Sequence, residues 1–365
     1  MLRRTLSIAI ITALLFTMIS GCGFKDIDKR FFVVSLGIDT GSAPGMFKVT
    51  LRLAIPASKI ESGKALTEVE SLEASSIAEA VRLLKSHVDK ELDFGHCRVI
   101  LIGKTLMEDS VDETLTWLAR RRDISMISYV GMAEPSAHEV LKLRPVSERY
   151  PGNALLLTFG NEGTESSYTV TEYLFDFVRR RKETGKDAFL PIVKMDPDRN
   201  SYEVNQVAFP DKKKLRLSLN SEETQLFNIS ARHFHKSAIA FPYLGTRIVL
   251  ALTKVSTSVD ISTGDIPVVT FRIRAKGYLE QSPPRFMNGN IPKIENHLQT
   301  ELNRQLEELL YKIRDAGVDP YGFGLHYLAQ YFGNSKDFEK WTKAYPYVSF
   351  RIRSRIQVDK SGQIQ

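Results

Sequence analysis

The residues of this chain best suited to nucleophilic or metal chemistry are its seven histidines and two cysteines, and their spacing restricts what they can do. His233-Phe234-His235 sets two imidazoles on one face of an extended segment, but no cysteine or carboxylate stands beside them at ligand spacing. They read as surface histidines, and no metal is expected. His96-Cys97 precedes a strand, where adjacent side chains point to opposite faces, so the imidazole is badly placed to take the thiol proton. Gly322-Phe323-Gly324 lacks a third glycine and follows Pro320 rather than a strand, which makes it a tight turn and not a phosphate cradle. Glu222-Glu223 and Glu307-Glu308 lie among polar residues on predicted helices, as solvated faces do. No Gly-x-Ser-x-Gly, His-Glu-x-x-His or Walker loop occurs. The chain is therefore not expected to be an enzyme, and no catalytic residue or cofactor is assigned.

Cys22 is the exception. Arg3 and Arg4 make a short positive start, Leu6 to Ile19 is almost wholly apolar, and Ile19-Ser20-Gly21 leads into the cysteine. That apolar run is shorter than the ~20 residues a spanning helix needs, so it inserts without anchoring well. Ile-Ser-Gly-Cys resembles a lipobox, and residues 1–21 resemble a bacterial lipoprotein signal peptide. The resemblance implies cleavage before Cys22 and a diacylglyceryl group on its thiol. Each buried methylene contributes roughly 0.8 kcal/mol, so two or three acyl chains hold a protein firmly to a bilayer. The cysteine remaining, Cys97, has no partner for an intramolecular disulfide.

Composition narrows the partners. Hydrophobic residues at 43% and charged residues at 25% are globular values for a chain long enough to bury two or three cores. The formal charge is +7, about +5 once Arg3 and Arg4 are removed. On an exported protein that mild excess favours acidic headgroups or wall polymer over nucleic acid. Arg120-Arg121-Arg122 and Arg179-Arg180-Arg181-Lys182 fall at predicted helix ends, where cations offset the dipole; contact with acidic headgroups is the other reading.

The hydrophobic pattern supplies the framework. Phe31 to Asp39 reads as a buried strand. Phe47, Val49, Leu51, Leu53 and Ile55 alternate with Lys48, Thr50 and Arg52 as a half-buried antiparallel partner. Ser76-Ile77-Ala78-Glu79 is a capping box opening a helix, and Ser136 starts another in the same way. Strands follow at Cys97–Gly103, Ile124–Met132 and Phe189–Val193, with helices between them. The turn cluster Asp196 to Asn200 suggests a division into 22–198 and 199–365. Beyond it strands dominate, joined by one long apolar stripe from Asn290 to Ala316. Val348 to Val358 closes the chain, its apolar residues opposing Arg351, Arg353 and Arg355. The expected class is multidomain α+β, with a mixed α/β first half and a C-terminal antiparallel sheet packed around the 290–316 helix.

Several short motifs in this order resemble the Ger(x)C family, the lipoprotein C subunits of spore nutrient germinant receptors. Asp26-Ile27 and Gly37-Ile38-Asp39 fit, although Gly23-Phe24-Lys25 stands where the family has Trp-Asp. Gly95-His96 and Arg122-Asp123 fall before the central strands as in the family. Asp319-Pro320-Tyr321-Gly322-Phe323-Gly324 is similar to its Asp-x-x-Gly-Phe-Gly, and Trp341 with Tyr345-Pro346 precedes the last strand. The resemblance implies structural roles for Gly37, Asp39, Asp319, Gly322, Gly324 and Trp341. It also implies a non-enzymatic subunit outside the spore inner membrane, assembled with integral membrane A and B subunits; direct nutrient binding is not expected. The rival reading is the solute-binding lipoprotein of an ABC importer, and an extracytoplasmic lipoprotein enzyme comes third. The importer reading requires repeated parallel βαβ lobes, which the pattern of the second half opposes.

Overall fold

Strand β1 (Arg30–Thr40) is the centre of the first half: apolar, bounded by turns, and buried over nearly its whole length. A computed structural model describes residues 4–5, 27–55, 67–145, 152–160, 166–232, 237–262, 264, 266–282, 291–330 and 335–359. Antiparallel β2 (Phe47–Ala54) pairs with β1, and antiparallel β3 (Thr67–Ala74) pairs with β2. On its other side β1 runs parallel to the short β4 (Glu91–Asp93) and to β5 (Val99–Gly103). Parallel β6 (Tyr129–Glu134) and β7 (Leu190–Asp196) follow, then antiparallel β8 (Ser201–Pro210) and β9 (Leu215–Leu219). The result is a nine-stranded sheet with a parallel centre and antiparallel wings.

Helices cover both faces of that sheet. Helix α1 (Ile77–His87) starts where the capping box places it: the Ser76 hydroxyl accepts the Glu79 N–H, and Ile77, Ala80, Val81 and Leu84 are buried. Short helices α2 (Lys104–Asp109) and α3 (Asp112–Arg120) lead from β5 towards β6. The second face receives α4 (Ala137–Lys142) and α5 (Asn153–Phe159). Helix α6 (Leu174–Lys182) precedes β7. Burial departs from strict alternation in β2, where Thr50 and Arg52 are fully buried rather than solvated. Arg52 donates to the Leu143 carbonyl and the Tyr202 hydroxyl, so α4 and its C-terminal extension cover what alternation alone predicts to be the wet face.

The turn at Asp196 to Asn200 is present, with Asn200 at φ +47°, but it is a hairpin between β7 and β8. Strands β7 and β8 on either side of this turn belong to the same sheet. Strand β8 serves two cores: Ala208 packs with the first half, Val207 and Phe209 with the second.

The second half is a four-stranded sheet, β10 (Ser237–Tyr243), β11 (Thr246–Ile261), β12 (Val268–Gln281) and β13 (Ser349–Asp359). Helix α7 (Ser221–Arg232) precedes it. Helix α8 (Ile291–Asp315) buries Ile294, Leu298, Leu302, Leu306, Leu309, Leu310 and Ile313, the full stripe visible in the sequence. Each of those side chains contributes ~1.5–3 kcal/mol by leaving water. The sheet is antiparallel through its first three strands only, because β13 runs parallel to β12. Helices α8, α9 (Phe323–Gln330) and α10 (Ser335–Ala344) form the crossover that a parallel pairing requires. Helix α8 also shields the edge of β13: Tyr311, Asn303 and Glu295 accept the N–H groups of Phe350, Ser354 and Val358. Eight helical residues rise ~12 Å and four strand residues ~13 Å, so the two ladders stay in step.

Candidate functional site

Asp39 ends the Gly37-Ile38-Asp39 step, at the top of β1. It is buried, and its two carboxylate oxygens accept the Ala137 and His138 N–H groups at 2.7 and 2.9 Å. The N-terminus of α4 is thereby held from a strand almost a hundred residues away, beside its local cap Ser136. Burial raises the Asp39 carboxyl above its ordinary range, against the pull of those two N–H groups. Gly37 lets α4 approach, since a Cβ there would stand 2.9 Å from the Leu141 methyl and 3.0 Å from Ala137 Cβ.

Asp319 repeats the device in the second half. It lies 6% exposed ahead of α9, and one oxygen accepts Gly322 N–H and Phe323 N–H at 2.8 and 2.9 Å while the other accepts Gly324 N–H at 2.8 Å. Gly322 adopts φ +79°, the left-handed region that favours glycine. Burial pushes the Asp319 carboxyl up to about 7; the nearby Asp187 charge adds to the rise and the three N–H groups oppose it.

This turn joins the two halves. Asp187 N–H donates to the Asp319 carbonyl at 2.8 Å, and Asp319 N–H donates to the Asp187 carboxylate at 2.7 Å. Leu325 N–H donates to the Gly185 carbonyl at 2.8 Å. Gly185 and Gly324 meet backbone to backbone: a Cβ on Gly185 would lie 2.6 Å from Gly324 C, and one on Gly324 would lie 2.7 Å from Trp341 Nε1. Trp341 is buried over Gly324 and stacks on Tyr327 at 5.1 Å. Lys212 clamps the other side, donating to the Arg180 and Glu183 carbonyls at 2.7 and 2.8 Å and pairing with Asp187 at 3.2 Å. The Tyr345 hydroxyl donates to the Val318 carbonyl at 2.8 Å.

Of the residues singled out by motif, Gly37 and Asp39 thus meet at one end of β1, while Asp319, Gly322, Gly324 and Trp341 converge at the junction. Cys22, His233 and His235 lie outside the described residues. Cys97 is buried, its thiol pushed up to about 12 by that burial, while His96 is exposed and its ring meets Phe32 edge-on. The glutamate pairs also resolve. Glu223 exchanges hydrogen bonds with Asn220 as a capping box and pairs with Lys312 at 2.6 Å; Glu308 pairs with Arg304 at 2.6 Å. Among the described residues, no three His, Cys, Asp or Glu side chains are grouped to hold a metal ion.

Sequence reasoning passed over Asp187, Gly185 and Lys212 as site residues. Gly185 carries a local signal, a glycine just past a helix at φ +78°. Asp187 and Lys212 carry none, because their partners are long-range.

The molecule so defined is a two-sheet α+β protein whose buried aspartates secure helix starts instead of facing a cleft. Residues 23–195 match the family described as spore germination protein N-terminal domain. Residues 206–362 match that described as spore germination B3/GerAC like, C-terminal, and the chain belongs to this spore germination family. A relative named putative spore germination protein YfkR, from Bacillus subtilis (strain 168), is 18% identical over 88% of each chain. The crystal structure of the GerBC protein shares the fold, with a TM-score of 0.57 and 17% identity over 88% of this chain and 96% of that one.

Proposed function

We propose that this chain is the lipid-anchored C subunit of a spore nutrient germinant receptor, working by holding a surface to membrane-spanning A and B subunits. Family membership supports the germination role. Cys22, in its lipobox-like setting, is the proposed anchor, and the outer face of the spore inner membrane the proposed site. No helix among the described residues is long and apolar enough to cross a membrane.

One observation carries the docking role. An aromatic ladder runs outward from the core beside the first sheet: buried Phe159, half-buried Tyr129, and exposed Tyr173 and Phe175 stack in succession, 5.6, 4.9 and 5.9 Å between rings. Ile127, 58% exposed, and Leu157 border it beside a cavity of about 490 Å³. Tyr129 is in register with Val99, and Val99 with Ser35, so the ladder sits at the starting ends of β5 and β6, level with the middle of β1. On that side β1 runs back five residues from Ser35 to its start at Arg30, just after Ile27, which stands five residues after Cys22. A tether of that length reaches at most about 17 Å, which keeps this end beside the bilayer where a spanning partner emerges. Confinement populates even a weak interface.

The test replaces Ile127 and Phe175 by arginine in spores without a paralogous receptor. Nutrient-triggered germination is expected to fail while a non-nutrient trigger still works and the protein stays folded and membrane-bound. An intact nutrient response would overturn the docking role, and loss of solute uptake instead would favour the importer rival.

A further inference from the structure

The outward face of the second sheet carries a dense array of cations. Along β12, Val269, Phe271, Ile273 and Ala275 point into the core, which turns Arg272, Arg274 and Lys276 outward. Along β13, Phe350, Ile356 and Val358 point inward and Arg351, Arg353 and Arg355 outward. The register then sets like against like. Arg272 lies opposite Arg353, Arg274 opposite Arg355, and Lys254 of β11 opposite Lys276. Directly opposed like charges destabilise a sheet. Shifting β13 by one residue would not relieve the conflict, because it would turn the apolar set into water.

The acids on this face are too few to neutralise it. Asp260 pairs with Arg272 and Asp359 with Lys276, and Glu280 lies at the far end of β12. Among the described residues, no carboxylate pairs with Lys254, Arg274, Arg351, Arg353 or Arg355, and all five are exposed. Ser256 and Ser258 stand in register with Arg274 and Arg272, adding hydroxyl donors to the array. The basic helix end at Arg179 to Arg181 behaves differently. Arg179 pairs with Asp176 and Glu183, Arg180 with Glu172, and Arg181 with Asp112.

We infer that this face docks on a layer of anionic phospholipid headgroups. Its shape decides between anionic partners: the cations occupy three adjacent strands, roughly 10 Å across and ~13 Å along. An acidic peptide would follow one row and leave the others uncovered, whereas a plane of headgroups meets every row. The face offers few apolar side chains for insertion, Tyr278 among them, so contact stays at headgroup depth and depends on salt. The inference uses the tethered reading only for bringing a bilayer within reach; the binding itself needs no acyl group.

The experiment therefore uses residues 23–365, which hold every core residue described, without lipidation. Partition is measured into phosphatidylglycerol vesicles and into phosphatidylcholine vesicles at low and high salt. The wild type should bind the anionic vesicles selectively and release them in salt. Arg351→Gln/Arg353→Gln/Arg355→Gln should weaken that binding about a hundredfold, at roughly fivefold per charge. Its thermal midpoint should hold or rise, since the replaced side chains repel one another. Lys85→Gln/Arg120→Gln/Arg122→Gln removes as many exposed charges elsewhere and should leave binding nearly unchanged. Equal loss in both triple variants, or no preference for anionic vesicles, would overturn the inference. Binding to polyglutamate but not to vesicles would overturn it in favour of an acidic protein partner. Mass analysis of Cys22 tests the anchor separately, so either idea can fail alone.

Discussion

Replacing Asp319 by asparagine separates the two things that its carboxylate does. Asparagine keeps one oxygen, able to hold the Gly322 and Phe323 N–H groups, but turns an amide nitrogen towards Gly324 N–H. One buried bond is lost and two donors face each other, a cost of about 1–3 kcal/mol. Charge works the other way. With the native carboxyl near 7 and its unfolded counterpart near 4, the native state binds more protons between those values. Wild-type stability should thus increase as pH falls from about 7 to about 4 and be lost as pH rises through that window, by up to about 1.4 kcal/mol per pH unit. Asparagine does not titrate. The difference between the two proteins, from urea melts at pH 5, 6, 7 and 8, cancels the other groups and should shrink as pH rises. Asp319→Ala orphans all three donors and should cost roughly 3 kcal/mol or more throughout. A difference that stays flat with pH would refute the buried-acid argument, and an alanine protein as stable as wild type would refute the cap.

Leu306→Asp should cost more than about 4 kcal/mol in a chemical melt, because a carboxylate would lose water in the α8 interface without gaining a partner. Gly185→Ala should cost about 2–4 kcal/mol, since its Cβ would meet the Gly324 backbone at 2.6 Å from a left-handed φ; an unchanged melt would undo the junction described here. Gly103→Ala should disturb α4 through Asp39, whose carboxylate occupies the space of the new Cβ, and amide exchange at Ala137 and His138 should quicken. Cys22→Ala should abolish the diacylglyceryl mass and membrane retention if Cys22 is the anchor; retention as firm as wild type would exclude it.

The elements that periodicity exposes are those whose burial is one-sided. Helix α8 shows all seven core residues as an unbroken stripe, and the Ser76 and Ser136 caps announce α1 and α4 by local chemistry alone. What stays hidden is set by distant chain. Strand β3, Thr67–Ala74, carries three glutamates and has no strand-like composition; it exists because β2 offers it an edge. The segment Ile124 to Ser128 is apolar enough to read as strand, yet β6 starts only at Tyr129, after Ser128 N–H has turned back to the Ser125 carbonyl. The direction of β13 was equally illegible. Alternation tells which face is wet, but nothing local tells whether the neighbour runs the same way.

The same asymmetry governs the candidate site. Gly37, Asp39, Asp319 and Gly324 stand out only through the family resemblance, and the fold gives each a cap or a close backbone approach that admits few residue types; their counterparts Ala137, Asp187 and Gly185 are ordinary until the chain brings them near. The charged surfaces invert that lesson. The runs at Arg120 and Arg179 draw the eye because their cations are consecutive, but consecutive cations on a helix point in different directions, and those from Arg179 to Arg181 find carboxylates. Arginines at every second position of a strand are diluted in sequence and concentrated in space, since period two puts them all on one face and the parallel register lines them up with a second set. A surface that accepts this repulsion is specified by something other than the stability of the fold, and a proposed tether to an anionic bilayer supplies a partner for it.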